Sequence, residues 1–325
     1  MATMQNNDLG LVEIAKRTNN GNVLTVAEAL SRMDEVFMDG VWVPCNQLAS
    51  HVHTRRTVLP TGTWRKINIG AAIESSHTKQ VVEAPGRLEA WSQIDEATLQ
   101  TLLGDQAKFR STEDMAFAMG LAQTAATALV SGDTLTTPEK FDGFNIRLNA
   151  AGTYVLSSGG TGSDLTSVYF VQWGEDMVHF IFQPEVGHGD AGSPIKVNPK
   201  GLETITDSDG GLFAGYRTQF VLSMGLAVHD DRCIARMANI EDDVSGANLF
   251  EPDYAIGILN SMLNRGRGVT MYAHQKVLSQ IDVMAMDKLN VLYQVSDLFG
   301  EPVTRFRGSP VRQLDAITIT QSAVS

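Results

Sequence analysis

The segment from residue 51 to residue 80 constrains the fold more than any other part of the chain. It contains five basic residues and one acidic residue, so its net charge is +4. The 325-residue chain has 37 acidic and 25 basic residues and a net charge of −12, so the remainder carries −16. The segment also has few large apolar side chains for its length, and it cannot contribute much to a buried core. This combination predicts an outstretched arm that lies on an acidic body, either its own or a neighbour's.

The residue pattern of this arm is typical of a β-hairpin. Residues 51–59 alternate and include β-branched side chains, which indicates a strand, and residues 60–62 form a Pro-Thr-Gly turn signal. Residues 64–69 and 78–83 also have extended patterns. We therefore assign residues 46–106 to an extended hairpin loop.

A short helical segment is predicted before the arm. Thr25 and Glu28 form a capping-box pattern, in which each side chain can bond the backbone N–H of the other residue. Apolar residues follow at helical spacing, and Gly40 supplies a stop. Residues 25–45 are therefore a capped helix and entry segment, preceded by a polar N-terminal arm over residues 1–24.

A long helix is predicted after the arm, over residues 112–130. Ser111 and Asp114 provide the N-terminal cap, and Gly132 ends the helix. The uncharged stretch 115–132 approaches the length of a membrane span, but it is rich in Ala, Thr and Ser rather than in large apolar residues. We interpret it as a buried soluble helix and expect no membrane partner.

Strand patterns dominate the rest of the chain. Two hairpins are predicted, at residues 166–182 and 215–236, with an exposed Gly-, Pro- and Asp-rich loop over residues 184–211 between them. The final segments alternate between helix and strand and predict a compact α/β lobe. They are helices at 252–265 and 275–290 and strands at 269–273, 301–306 and 311–320.

The strongest enzyme-like motif is a literal Gly-x-Gly-x-x-Gly at residues 187–192, just after a predicted strand. In a dinucleotide site such glycines let the backbone approach a pyrophosphate at the N-terminus of a helix. Here Ser193 and Pro194 follow, and no apolar-periodic helix begins. A loop is therefore favoured over a nucleotide site.

His51 and His53 fall on one face of the first arm strand, and two ligands at that spacing can begin a zinc site. No third ligand is evident from the sequence. We therefore expect no metal, no cofactor and no catalytic residue, and a chain that is not an enzyme. The two cysteines, Cys45 and Cys233, are too few for a disulfide framework and are expected to be buried thiols.

Five runs of the sequence together resemble the major capsid proteins of tailed bacteriophages, in particular those of short-tailed phages. The runs at 126–133 and 138–144 are similar to the end of the spine helix and its following turn, and the runs at 166–176 and 225–240 are similar to strands of those proteins. Residues 306–317 resemble the Gly-x-Pro-Val-x-x-x-Asp strand near the tip of their axial lobe. The basic segment occupies the place of their extended loop.

The resemblance implies an α+β fold of the Hong Kong 97 type, with an N-terminal arm, an extended β-hairpin loop, a long spine helix, and peripheral and axial lobes. Residues 107–250 would form the peripheral lobe with the spine helix and long strands, and residues 251–325 an axial-like α/β lobe. Because the long strands precede the axial-like part, a rearranged connectivity is expected.

The implied function is a major capsid protein that self-assembles as hexamers and pentamers into an icosahedral shell around double-stranded DNA. The expected partners are other copies of the chain, a portal, a scaffold and a cement protein. The acidic total disfavours DNA binding by counterion release, so the DNA would be enclosed without sequence-specific binding. The implied location is the virion capsid, assembled in the bacterial cytoplasm.

Residues for the subunit interface follow from the charge of the arm. They are Arg55, Arg56, Arg65, Lys66 and Lys79, which would contact acidic surface on a neighbour. Two alternative functions remain open at this stage: a nucleotide-binding enzyme that uses residues 187–192, and a non-viral compartment shell with the same fold.

Overall fold

The computed structural model describes most of the chain after residue 35. The described residues are 18–19, 22–23, 35–101, 106–184, 194–207, 209–243, 247–286, 293–298 and 301–324. The chain divides into two compact units, each of which is described by itself. Unit 1 comprises Met1–Asp34, Arg87–Ala126 and Ser193–Ser223, and unit 2 comprises Glu35–Gly86, Thr127–Gly192 and Met224–Ser325.

Both helices and strands contribute to the fold, as the α+β prediction requires. The described strands are β1 (Thr18–Asn19), β2 (Asn22–Val23), β3 (Trp42–Pro44), β4 (His51–Val58), β5 (His77–Glu83), β6 (Gly86–Asp95), β7 (Val155–Ser157), β8 (Leu165–Gln172), β9 (Val178–Phe182), β10 (Ile195–Thr206), β11 (Leu212–Val228), β12 (Ile234–Glu241), β13 (Val269–Ala273), β14 (Tyr293–Leu298), β15 (Glu301–Phe306) and β16 (Ser309–Gln313). The described α-helices are α1 (Val36–Asp39), α2 (Glu96–Gln100), α3 (Gln106–Ser131), α4 (Phe144–Arg147), α5 (Pro252–Ser261) and α6 (Gln275–Met286).

A seven-stranded sheet forms the core of unit 2. Its strand order is β14-β15-β16-β13-β8-β12-β7. Every residue of β8 and β13 is buried, as expected for strands that are rich in β-branched and aromatic residues and are covered on both faces. Helix α5 buries Ile258 and Leu259 in the same apolar cluster as Phe170 and Met271.

The strands of the two predicted hairpins exist, but the predicted pairings are wrong. β8 pairs with β12 and β13, whereas β9 pairs with β11 and β3. β11 is one continuous strand through Gly225, and it does not pair with β12. Buried strands need neighbours on both edges, and a short turn between two strand patterns does not determine which neighbours those are. Because β8 and β12 share a sheet with β13, residues assigned to the peripheral lobe pair directly with the axial-like part.

The predicted exposed loop at residues 184–211 is also largely wrong. Residues 195–206 form β10, which pairs antiparallel with β11 from Ile195 opposite Leu222 to Thr206 opposite Leu212. A bulge between Pro199 and Gly201 interrupts the register. Pro199 and Gly201, two of the residues that favoured a loop, therefore mark a bulge within a mostly exposed strand.

Helix α3 begins six residues before its predicted start. Ser111 and Asp114, which were expected to cap it, lie inside the helix. The earlier turn is helical because Phe109 is buried in a small apolar cluster of unit 1 with Ile94 and Leu99. The predicted stop is confirmed, since the helix ends at Ser131. No helix among the described residues is both long and apolar enough to cross a membrane.

Other predictions in this part of the chain have mixed outcomes. The stop at Gly40 is confirmed by the end of α1 at Asp39, whereas the proposed capping box at Thr25 and Glu28 lies outside the described residues. Residues 86–100, which were placed in the extended loop, form β6 and α2. The two cysteines are free and buried, as expected.

Candidate subunit-interface hairpin

Strands β4 and β5 form the predicted hairpin in unit 2. They pair antiparallel from His51 opposite Glu83 to Val58 opposite His77, with an irregularity between Arg56 and Val58. The expected extension at residues 64–69 is wrong. That segment contains a turn closed by the Ile69 N–H, which donates to the Lys66 carbonyl at 3.2 Å, and it has no facing strand among the described residues.

The two faces of β4 differ sharply because side chains alternate along a strand. His51 and His53 are buried, and Arg55 on the same face is partly buried. From Arg56 onwards every residue to Gln80 is exposed. The hairpin therefore packs on its own chain only at its root, and residues 56–80, about three quarters of it, are exposed.

A charged pair holds the end of β5 at this root. The guanidinium of Arg147 donates two hydrogen bonds to the Glu83 carboxylate, at 2.8 and 2.7 Å. Arg147 also donates to the carbonyls of Asp142 and Leu226, each at 3.0 Å. Both side chains are mostly buried, with 16% and 14% of their surfaces exposed. This bidentate geometry fixes the direction in which the hairpin leaves the body.

Arg55 provides a second attachment at the root. Its Nη1 donates to Asp231 Oδ1 at 2.7 Å, and its Nη2 donates to the Val228 carbonyl. Arg55 faces Lys79 across the two strands, and both line a cavity of about 440 Å³ together with Glu83, Arg147 and Asp231. The structure thus engages Arg55 within its own chain, although the sequence indicated a contact with a neighbour.

The other four interface candidates, Arg56, Arg65, Lys66 and Lys79, are all exposed. None of them forms an ion pair with any described residue. Arg65 Nη1 donates one long hydrogen bond, of 3.5 Å, to the Ile69 carbonyl. These four cations are free to meet acidic groups outside the chain.

The hairpin tip carries an exposed apolar surface, which the net charge of the segment did not predict. Trp64 and Ile73 are fully exposed, Ile67 is 89% exposed, and Leu59 and Ile69 are more than half exposed. The backbone at the tip is ordered by Glu74, whose carboxylate accepts hydrogen bonds from the N–H groups of Thr61 and Gly62. Several exposed large apolar side chains in one short segment are typical of an interaction surface. Its signal in the sequence was one Trp and three Ile residues within an otherwise polar segment.

The root also contains four histidines. His179 on β9 and His229, which directly follows β11, join His51 and His53 in one cluster. Burial lowers the pKa of His53 and of His179 to about 4, and it lowers the pKa of His51 and His229 as well. Sequence reasoning found two of these residues and missed the other two, which lie more than 120 positions away in the chain.

The glycine motif at residues 187–192 lies outside the described residues, so its geometry contributes nothing to the site. The alternative of a nucleotide-binding enzyme therefore remains without structural support.

Comparison with known proteins identifies the family. The sequence model of the family described as "Major capsid protein GP7" matches residues 18–325. Among solved structures, the chain is similar to one from bacteriophage Epsilon15, with 26% identity and a TM-score of 0.73 over 100% of this chain and 99% of that one. It is also similar to the bacteriophage JBD30 capsid, with 12% identity and a TM-score of 0.53 over 93% of this chain and 97% of that one. No curated protein matches significantly.

These matches cover nearly the whole chain, so they apply to the hairpin as well as to the sheets. The resemblance stated from the sequence is confirmed, and so is the fold that it implied. The chain belongs to the GP7 family of major capsid proteins, and it is a phage capsid shell protein with the Hong Kong 97-type fold.

Proposed function

We propose that this chain assembles as hexamers and pentamers into a closed icosahedral head that encloses double-stranded DNA. The observation that carries this proposal is the exposed apolar tip of the hairpin, with Trp64, Ile67 and Ile73 uncovered by any described residue of their own chain. Membership of the capsid family supplies the partner, which is a second copy of the chain.

The proposed contact combines two physical contributions. Burying one large apolar side chain stabilises a contact by about 1.5–3 kcal/mol. An exposed ion pair contributes only about 0–1 kcal/mol. The tip would therefore supply most of the affinity, while Arg56, Arg65, Lys66 and Lys79 would orient the hairpin on an acidic neighbour. Repeating such modest contacts over a closed lattice produces a stable shell.

Arg55 has a different role in this scheme. Because it is bound to Asp231 and to the Val228 carbonyl of its own chain, it would position the hairpin rather than touch the neighbour. Its contribution to the interface would be to present the tip in a fixed direction.

The remaining partners are part of the same proposal. The net charge of −12 supports a shell that encloses DNA without binding its sequence. Assembly would take place in the cytoplasm of a bacterial host, with a portal and a scaffold, and a cement protein could then attach to the finished shell. A non-viral compartment shell would have the same subunit chemistry, and the packaged contents distinguish the two.

Electron microscopy of the purified full-length chain tests the proposal. We expect icosahedral particles from the natural sequence and none from the triple variant Trp64→Ser, Ile67→Ser, Ile73→Ser. The matched control is the triple variant Met38→Ser, Leu48→Ser, Leu135→Ser, which also removes three exposed apolar side chains but leaves the hairpin intact. Particles of normal shape from the tip variant would contradict the proposed contact.

The enzyme alternative has its own test. Equilibrium dialysis with mononucleotides and dinucleotides should reveal no saturable site in the assembled protein. Saturable binding that is lost when Gly187 and Gly189 are both replaced by Ala would favour the alternative.

A further inference from the structure

The four histidines at the hairpin root form a group of metal-ligating side chains that the capsid function does not explain. His51 and His53 come from β4, His179 from β9, and His229 from the residue after β11. All four belong to unit 2. Residues far apart in the chain therefore converge on one place, where the hairpin joins the body.

The distances within the group suit a shared ligand. His51, His53 and His229 each offer a ring nitrogen, and these three atoms lie within 4.8 Å of one another. The rings of His53 and His229 are stacked with centroids 4.3 Å apart, and the ring of His179 lies 5.0 Å from that of His229. Zn–N bonds of about 2.0–2.1 Å in a tetrahedral site require ligand nitrogens about 3.3 Å apart. Rotation of the side chains would have to bring the three nitrogens to that spacing and tilt the stacked rings of His53 and His229 toward one ion.

Four of the six ring nitrogens of His51, His53 and His229 have no hydrogen-bond partner among the described residues. Both nitrogens of His53, Nδ1 of His51 and Nε2 of His229 are buried and make no hydrogen bond within the described part of the chain. His51 and His53 are themselves 92% and 95% buried. Buried polar atoms are nearly always hydrogen-bonded, and leaving them unpaired is costly. A group of such atoms close to one another is therefore an arrangement that a ligand would complete.

The low pKa values of the four histidines keep their rings neutral at neutral pH. Burial is the main cause of the low pKa of each histidine, and the neighbouring histidines and Arg55 lower the pKa of His53 further. Glu83 and Asp176 oppose this effect at His51 and His229. At neutral pH the imidazoles are neutral and their lone pairs can bind a metal.

The donor set indicates the class of metal. Three imidazole nitrogens, with no carboxylate oxygen or thiolate among them, suit Zn²⁺ and its neighbours Co²⁺, Ni²⁺ and Cu²⁺ rather than Mg²⁺ or Ca²⁺. We propose that His51, His53 and His229 bind one Zn²⁺-class ion, which joins the extended hairpin to the end of β11. The ring of His179 lies beside the site and closes it on one side.

Such an ion would act as a structural link. β4 carries two of the ligands and His229 carries the third, so the ion would connect the hairpin root to the strand segment that Arg55 also contacts. Because the ion would bind the folded chain and not the unfolded one, it would increase the free energy of unfolding.

The test uses purified particles of the full-length chain. After removal of metals with a chelator and re-exposure to Zn²⁺, elemental analysis should give one ion per subunit. Co²⁺ in place of Zn²⁺ should produce the intense visible absorption of a tetrahedral nitrogen site. The double variant His53→Gln, His229→Gln should lose at least tenfold in Zn²⁺ affinity, and Zn²⁺ should no longer raise its unfolding temperature.

His77→Gln is the matched control, because His77 lies on the same hairpin but is exposed and outside the cluster. It should bind Zn²⁺ as the natural chain does. If the double variant fails to form particles, the single variant His229→Gln at the half-buried position provides the same comparison. Equal Zn²⁺ uptake by the natural chain and by the His53/His229 variants would overturn the proposal, because the cluster would then be metal-free. An equal loss of uptake in His77→Gln would also overturn it, because the binding would then be adventitious and at the surface.

Discussion

The seven-stranded sheet and the β4–β5 hairpin, both in unit 2, differ in how far they bury their side chains. In the sheet, every residue of β8 is buried between two neighbouring strands. In the hairpin, every residue from Arg56 to Gln80 is exposed, including the large apolar side chains of the tip. The sheet is therefore stabilised from within its own chain, whereas under our proposal another copy covers the hairpin tip. Substitutions in the first region should change folding, and substitutions in the second should change assembly.

The sheet buries even a charged side chain, that of Arg236, and supplies its hydrogen-bond partners. Only 3% of Arg236 is exposed, and its guanidinium donates to Ser167 Oγ at 3.0 Å, to the Leu148 carbonyl at 2.9 Å and to Gln321 Oε1 at 2.8 Å. The last of these bonds ties the C-terminal segment to the sheet.

The largest loss of stability is expected from Arg236→Ala, which tests the sheet side of the comparison. The change removes three buried hydrogen bonds and opens a cavity, although Gln321 Oε1 still accepts from Ser167 Oγ at 2.6 Å. We expect the free energy of unfolding to fall by about 3–5 kcal/mol. Arg232→Ala is the matched control, because Arg232 pairs with Asp230 two residues away and is more than half exposed. Denaturant unfolding of the soluble subunit measures both. Equal losses of unfolding free energy in the two variants would contradict the distinction between the buried core and its surface.

Arg147→Ala should have the next largest effect, because it removes one partner of the buried pair at the hairpin root. We expect a loss of about 3 kcal/mol, since Glu83 would remain buried without its cation. A double-mutant cycle with Glu83→Gln measures the coupling. A coupling energy near zero would mean that the pair does not hold the root.

Gly40→Ala tests the packing at the start of unit 2. An added Cβ at Gly40 would lie 2.1 Å from the Phe180 ring, which is itself held between Trp42 and Trp173. Overpacking of this kind should cost about 1–3 kcal/mol. In the hairpin, the same change at Gly70 meets no atom within 4 Å, so Gly70→Ala should leave the unfolding midpoint unchanged. A similar loss at both positions would contradict the contrast between the regions.

The smallest effect on the subunit is expected from replacing Arg56, Arg65, Lys66 and Lys79 together by Ser. These exposed side chains have no ion pair among the described residues, so subunit stability should change by less than about 1 kcal/mol. Shells of this variant should nevertheless dissociate at a lower salt concentration or temperature than natural shells, which light scattering can follow. Unchanged salt and thermal resistance of the shells would refute the electrostatic part of the interface.

Local patterns in the sequence predicted about half of the strands, but not their partners. The alternation at residues 51–59 and the buried run at 269–273 both correspond to strands, because side-chain periodicity is a property of the local backbone. The pairing of β8 with β12 and β13 depends on contacts between distant residues, and a turn-like segment at 173–177 gave the wrong neighbour.

The site was predicted in part for the same reason. The charged hairpin was visible in the sequence, and the alternation of side chains could also have separated Arg55, on the root face, from Arg56, on the outer face. The convergence of His229 on His53 had no sequence signal, since it results from the path of β11. The apolar tip had a signal in its one Trp and three Ile residues, but the net charge of the segment predicted only an electrostatic contact.

The most direct test of the central claim is the solvent accessibility of Trp64 before and after assembly. Trp64 is fully exposed in the subunit, and the account predicts that iodide quenches its fluorescence in the soluble subunit but not in the shell. The difference between natural protein and Trp64→Phe isolates this signal from the other three tryptophans. Equal quenching of Trp64 in subunit and shell would show that no neighbouring copy covers the tip, and it would contradict the account.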